Sequence, residues 1–186
     1  AYLERRIGIV LGPDRAYLAH SRLGPVLAAF GLRDLDGLML ALERQPAPGL
    51  QDAVIDAMTT HETQWFRDQY PFEVLSRHVL PERWQPGSPL RLWSAACSTG
   101  QEAYSLAITL GEYRQQQSRL SGAHHEILGT DVSPAALRIA ADGVYDAQNG
   151  VRGLSPTRLE RYFERQRGGH ALRPAWRHAV AFQRFN

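Results

Sequence analysis

Chemistry in this chain is expected where two apolar runs end. The first run, Leu90 to Cys97, breaks at Ser98-Thr99-Gly100; the second, Glu126-Ile-Leu-Gly-Thr-Asp131, closes on an acid. A carboxylate at a strand end accepts hydrogen bonds from both hydroxyls of a ribose. Gly100 lets a ligand approach the backbone closely. Neither G-x-G-x-x-G nor G-x-x-x-x-G-K-[ST] occurs, and a turn with one glycine and few free N–H groups suits a pyrophosphate poorly. A ligand without phosphates, such as S-adenosylmethionine, fits better. The alternative is a packed strand–turn–helix whose acid caps the next helix. Cys97 beside the turn reads as a small buried residue, because no basic partner stands near it in sequence.

The elements that must position this turn follow from periodicity. Leu90 to Cys97 reads as a buried strand, and Ala103, Leu106, Ala107 and Leu110 give the following helix its apolar face. Ser98 with Gln101, and Thr99 with Glu102, form two overlapping capping boxes. Ser133-Pro134 opens a helix to about Asp142, and Ser155-Pro156 another to about Arg165. Ala179 to Phe185 reads as a third strand. Alternating strands and helices imply a parallel sheet of about three strands.

Before this α/β part, residues 2 to about 58 read as four helices: one before Gly12-Pro13, then about Asp14 to Phe30, Asp36 to Gln45 and Leu50 to Met58. Thr59 to Asp68 is polar and aromatic with no clear period, and Trp65 and Phe66 there are expected to pack between the two modules. A helix from about Pro71 to Leu80 follows. Gln85-Pro86-Gly87-Ser88-Pro89 is the clearest linker. The expected organisation is a helical domain at 1–58, a linker region at 59–89 and an α/β domain at 90–186.

The chain has 186 residues, with 44% apolar, enough for a real core. No apolar run approaches ~18 residues, so no membrane insertion is expected. One cysteine excludes an intrachain disulfide and fits a reducing cytoplasm. All 21 basic residues are arginine, which removes lysine Schiff-base chemistry. A net charge of +2 is too weak to indicate nucleic-acid binding.

Five motifs in order carry a family resemblance: Gly8-Ile-Val-Leu-Gly12 with Tyr17-Leu18 and Ser21-Arg22-Leu23; Thr59-Thr60-x-x-Thr63-x-x-Phe66-Arg67; Trp93-Ser-Ala-Ala-Cys-Ser-Thr-Gly-Gln-Glu-Ala-Tyr-Ser105; Gly129-Thr-Asp131 with Ala136-Leu137 and Gly143-Val-Tyr145; and Leu154-Ser155 with Arg161-Tyr162-Phe163. Together they resemble the chemotaxis receptor methyltransferases, the CheR family, across the whole chain. The resemblance implies a small N-terminal helical domain followed by a Rossmann-like methyltransferase domain. It implies S-adenosylmethionine as cofactor, S-adenosylhomocysteine as product, no metal, and glutamates on acidic helices of a chemoreceptor's cytoplasmic domain as substrate.

Site roles follow from the same resemblance. Thr63 and Arg67 meet the cofactor, with Arg67 also beside the reaction centre. The Ala96 carbonyl receives the ammonium, Glu102 holds polar groups and Asp131 holds the ribose. Asn186 contacts adenine. His61 stands where Asn is common in the family and is carried as a cofactor contact. The family's later Arg-Asn motif and its small β-subdomain are not found, which implies the N-terminal portion of a longer protein. A glutamate side chain, with a pKa near ~4.3, is already ionised at neutral pH, so methyl transfer to it needs no general base. The competing reading is a non-catalytic cofactor-binding scaffold. A nucleic-acid methyltransferase is disfavoured, since N-P-P-[YF] is absent and Trp65 and Phe66 are not interleaved in a basic run.

Overall fold

The computed structural model describes residues 2–44 and 46–186, with Pro13 described through its backbone only. The chain divides into two units, residues 1–60 with 132–135 and Asn186, and residues 61–131 with 136–185.

The first unit is helical: α1 (Tyr2–Ile7), α2 (Ala16–Ala29), α3 (Leu35–Glu43) and α4 (Leu50–Met58). A short 3-10 turn, Pro13–Arg15, precedes α2. Asp34 caps α3 by accepting the Gly37 N–H at 2.8 Å, which satisfies one of the donors a helix start leaves open. Leu23 and Val26 of α2, Leu38 and Leu42 of α3, and Leu50, Val54 and Met58 of α4 form the core. Arg22 ties α2 to the end of α4, donating to the Met58 carbonyl at 3.3 Å and to Thr60 Oγ1 at 3.4 Å. The end expected for the third helix, Gln45, lies outside the described residues.

The second unit begins with a helix in three parts: α5 (Tyr70–Val74), a π turn (Leu75–Val79) and α6 (Leu80–Arg83). Pro81 has no N–H to offer the preceding turn, and the helix absorbs the mismatch by a wider turn in which the Leu80 N–H reaches the Leu75 carbonyl. Then come β1 (Leu90–Ala95), α7 (Gln101–Gln115), β2 (His125–Asp131), α8 (Pro134–Asp142), β3 (Val144–Asp146), α9 (Pro156–Tyr162), β4 (Phe163–Gln166), β5 (Gly169–Leu172), α10 (Pro174–Arg177) and β6 (Ala181–Arg184). Strands β1, β2 and β6 form a parallel sheet in the order β1-β2-β6. This is the 3-2-1 half of a doubly wound α/β sheet, whose ligands bind at the carboxyl ends of the strands.

Strands β3, β5 and β4 form a separate antiparallel sheet that the sequence reading did not anticipate. The helix expected to reach Arg165 ends at Tyr162, and Phe163 enters a strand opposite Leu172. The resemblance implied that a small β unit was missing; this chain does carry a small antiparallel sheet between β2 and β6. Trp65 and Phe66 also differ from expectation. They lie in the core of the α/β unit, Trp65 against Tyr104, Tyr145 and Phe163. Among the described residues, no helix is long and apolar enough to cross a membrane.

Candidate cofactor site

At the end of β1 the chain turns without losing its hold on β2. The Cys97 N–H donates to the Thr130 carbonyl at 2.9 Å, one step beyond the last β1–β2 pair, Ala95 with Thr130. Ala96 (φ 58°), Ser98 (φ 51°) and Gly100 (φ 93°) then adopt left-handed backbone conformations. Such conformations cost of order 1–3 kcal/mol at non-glycine residues and gather at functional sites when their surroundings hold them. Three bonds do so here. Asp131 Oδ2 accepts the Ser98 N–H at 2.7 Å. The Tyr145 hydroxyl donates to the Thr99 carbonyl at 2.9 Å, and the Ser98 hydroxyl to the His61 carbonyl at 3.3 Å.

Neither expected capping box forms. Gly100 is the N-cap of α7 and no side chain caps it. The Ser98 hydroxyl goes to His61, Thr99 Oγ1 bonds the Gln101 side chain at 2.7 Å, and Glu102 Oε1 accepts the Ser94 hydroxyl at 2.7 Å. Gly100 is required on two grounds. Its φ is left-handed, and a Cβ there would stand 2.9 Å from the Ala140 methyl and 3.3 Å from Phe182.

Arg67 sits in a second strained segment, flanked by Phe66 (φ 49°), Asp68 (φ 62°) and Gln69 (φ 49°). Phe66 is anchored in the core, edge-on to Phe72 at 5.2 Å, with the Arg158 guanidinium 3.8 Å above its ring. Arg158 is itself held by Glu112 through bonds of 3.0 and 2.8 Å. Arg67, by contrast, is exposed; its guanidinium reaches the Glu62 carbonyl at 3.5 Å. It lines a cleft of about 490 Å³ with Trp93, Glu102 and Leu106.

The structure thus groups the expected residues in two sets. Asp131 joins the turn and His61 through Ser98, while Arg67 and Glu102 share the cleft. Ala96 is exposed within the turn, and His61 and Thr63 are half-buried in the segment leading to Arg67. Asn186 belongs to the helical unit, where its amide donates to the Arg6 carbonyl at 2.5 Å. Sequence reasoning quoted Ser94 and Tyr145 within motifs but gave neither a site role; the bonds that give them one, Ser94 to Glu102 and Tyr145 to the Thr99 carbonyl, show only in the fold.

Cys97 is 2% exposed, with its sulfur 3.8 Å from the Ser98 carbonyl. Burial first, and the Asp131 carboxylate second, push its pKa from 9.0 to about 12. It is an inert thiol at neutral pH. Between those values the unfolded chain has released the proton that the folded chain retains, so stability falls as pH rises. The slope from this group is at most about 1.4 kcal/mol per pH unit. Cys97→Ala should flatten the denaturation-derived stability curve between pH 9 and 12, and a native thiol-reagent assay at pH 8 should show no labelling. Parallel curves for the two proteins would remove the assignment.

The donor set selects a ligand class. Two carboxylates, Asp131 and Glu102, flank the β1 turn; they repel phosphates and favour hydroxyls, an ammonium or a sulfonium. A buried acid at a parallel strand end, beside a strained turn that opens a helix, defines a nucleoside-cofactor domain of the doubly wound class.

The comparisons narrow that class. Residues 61–186 match the family model described as CheR methyltransferase, SAM binding domain, and residues 1–59 the one described as CheR methyltransferase, all-alpha domain. The chain is similar to "Chemotaxis protein methyltransferase Cher2" of Pseudomonas putida, 44% identical over 100% of this chain and 68% of that protein. It is similar to "Chemotaxis protein methyltransferase 1" of Pseudomonas aeruginosa, 45% identical over the same shares, 100% and 68%. The "Chemotaxis protein methyltransferase" of Escherichia coli is 32% identical over 90% of this chain and 56% of its own length. This chain belongs to the CheR methyltransferase family.

Proposed function

We propose that the chain binds S-adenosylmethionine at the β1 turn and serves methyl transfer to glutamate side chains of chemoreceptors in the cytoplasm. The observation that carries this reading is Asp131: a buried carboxylate at the end of β2 that holds the strained turn through Ser98. When bound, the cofactor supplies an electrophilic methyl on sulfur. Asp131 takes the ribose hydroxyls, the Ala96 carbonyl the ammonium, and Glu102 further polar groups. Thr63 and His61 border the cofactor. Arg67 orients a carboxylate through its planar fork. The incoming glutamate is already an anion, so the protein's work is alignment and exclusion of water.

Calorimetry with S-adenosylhomocysteine and transfer of labelled methyl to a chemoreceptor cytoplasmic fragment test the reading together. Binding with alkali-labile label on glutamate supports it. Absence of binding overturns it, and binding without transfer to any receptor fragment identifies a cofactor-binding scaffold instead.

The acidic receptor helices call for a basic surface, and the helical unit offers exposed Arg5, Arg6 and Arg15. Arg15 lies in the 3-10 turn before α2, whereas Arg22, within α2, is bonded to Met58 and Thr60, so its reversal would also disturb α4. Arg15→Glu should raise KM for the receptor fragment several-fold at low salt, with cofactor affinity unchanged. The effect should fade as salt rises, because exposed charges are screened within ~8–10 Å at physiological ionic strength. An unchanged KM at low salt places receptor docking on another surface.

A further inference from the structure

We infer that Ser105 is a positioning residue for Arg67: its buried hydroxyl fixes the loop carrying Arg67 to the first turn of α7. The inference rests on the proposed role of Arg67 at the cofactor.

Ser105 is fully buried, at 0% exposure, one helical turn below the start of α7. Its hydroxyl donates to the Gln101 carbonyl at 2.6 Å. That bond orients the oxygen lone pairs outward, and they accept the buried Phe66 N–H at 3.0 Å. A serine inside a helix ordinarily bonds the carbonyl four residues back and goes no further. Thr109 on the same helix makes that bond, to the Ser105 carbonyl at 2.8 Å. The hydroxyl of Ser105 adds a contact 39 residues away in sequence, at the left-handed residue next to Arg67. Gln101 is followed by Glu102, so one oxygen joins the backbones beside two of the residues that line the cleft, Arg67 and Glu102. The Phe66 carbonyl accepts the Gln69 N–H at 2.9 Å and the Trp65 N–H donates to the Arg152 carbonyl at 3.1 Å; the Ser105 hydroxyl holds the remaining Phe66 N–H, the backbone group nearest α7 on the path into Arg67.

Ser105→Ala removes the acceptor and leaves a buried N–H unpaired in a strained conformation, while the core keeps its apolar contacts. Loss of a partner of this kind costs enough to weaken affinity for S-adenosylhomocysteine roughly tenfold. Four variants of the whole chain, measured by calorimetry and thermal unfolding, decide the matter: Ser105→Ala, Arg67→Ala, their double variant and Thr109→Val as a helix control. The expected result is a loss of about tenfold for Ser105→Ala and less than about twofold for Thr109→Val at comparable unfolding temperatures. In the Arg67→Ala background the Ser105→Ala loss should shrink to less than about twofold, since the residue it positions is gone.

Wild-type affinity in folded Ser105→Ala, with Arg67→Ala weakened, overturns the positioning role alone. An undiminished Ser105→Ala loss in the Arg67→Ala background also overturns it, showing action on α7 and not on the loop. Wild-type affinity in Arg67→Ala overturns the proposed role of Arg67, and the route through Ser105 falls with it.

Discussion

Asp131→Ala should lower affinity for S-adenosylhomocysteine about a hundredfold, because two sets of donors lose their acceptor at once and each unpaired donor costs about 1–3 kcal/mol. One set is the ribose hydroxyls of the proposed cofactor. The other is the Ser98 N–H, bonded to Asp131 Oδ2 at 2.7 Å. Without that bond the left-handed Ser98 has less to hold it, and the turn that receives the cofactor relaxes. The two contributions separate experimentally. Thermal unfolding without ligand reads the turn alone, and calorimetry reads both. Asp131→Asn, which keeps one acceptor oxygen, should fall between wild type and alanine. Folded Asp131→Ala with wild-type affinity would exclude Asp131 from the cofactor.

Arg67→Ala should reduce methyl transfer to a receptor fragment about a hundredfold, the usual scale for losing a positioning group. Affinity for S-adenosylhomocysteine should fall about tenfold or more, as a charge-assisted bond is lost. Stability should change by less than about 0.5 kcal/mol, because Arg67 is exposed and its neighbour Phe66 supplies the core contact. Arg67→Lys should restore little, since an ammonium lacks the guanidinium's two-pronged geometry. Transfer within about twofold of wild type in Arg67→Ala would assign this exposed arginine to solvent.

The local sequence signals were reliable where neighbours within one helical turn decide the outcome. Leu50–Met58 and Pro134–Asp142 form as helices, and Ser155 caps α9 by accepting the Arg158 N–H at 3.2 Å. The three parallel strands were legible as short segments with apolar residues at their centres, set between turn and helix signals. The β4 strand was not. Glu160, Arg161, Glu164 and Arg165 are good helix formers, yet Phe163 leaves the helix to pair with Leu172, and left-handed Gly168 returns the chain into β5. Ser98 and Thr99 carry a capping signal, but Gly100 takes the N-cap position and their hydroxyls bond the His61 carbonyl and the Gln101 side chain instead.

The sequence by itself determined which residue types stand at the candidate site and in what order: an acid closing one strand, a glycine turn closing another, an arginine after an aromatic pair. Only the tertiary structure decided how they are held. Ser98 meets Asp131 across 33 residues, Phe66 meets Ser105 across 39 and Thr99 meets Tyr145 across 46. Bonds over such separations leave no periodicity in the chain. They depend on the register of β1 against β2 and on core packing around Trp65, which arise only when distant segments share one buried surface.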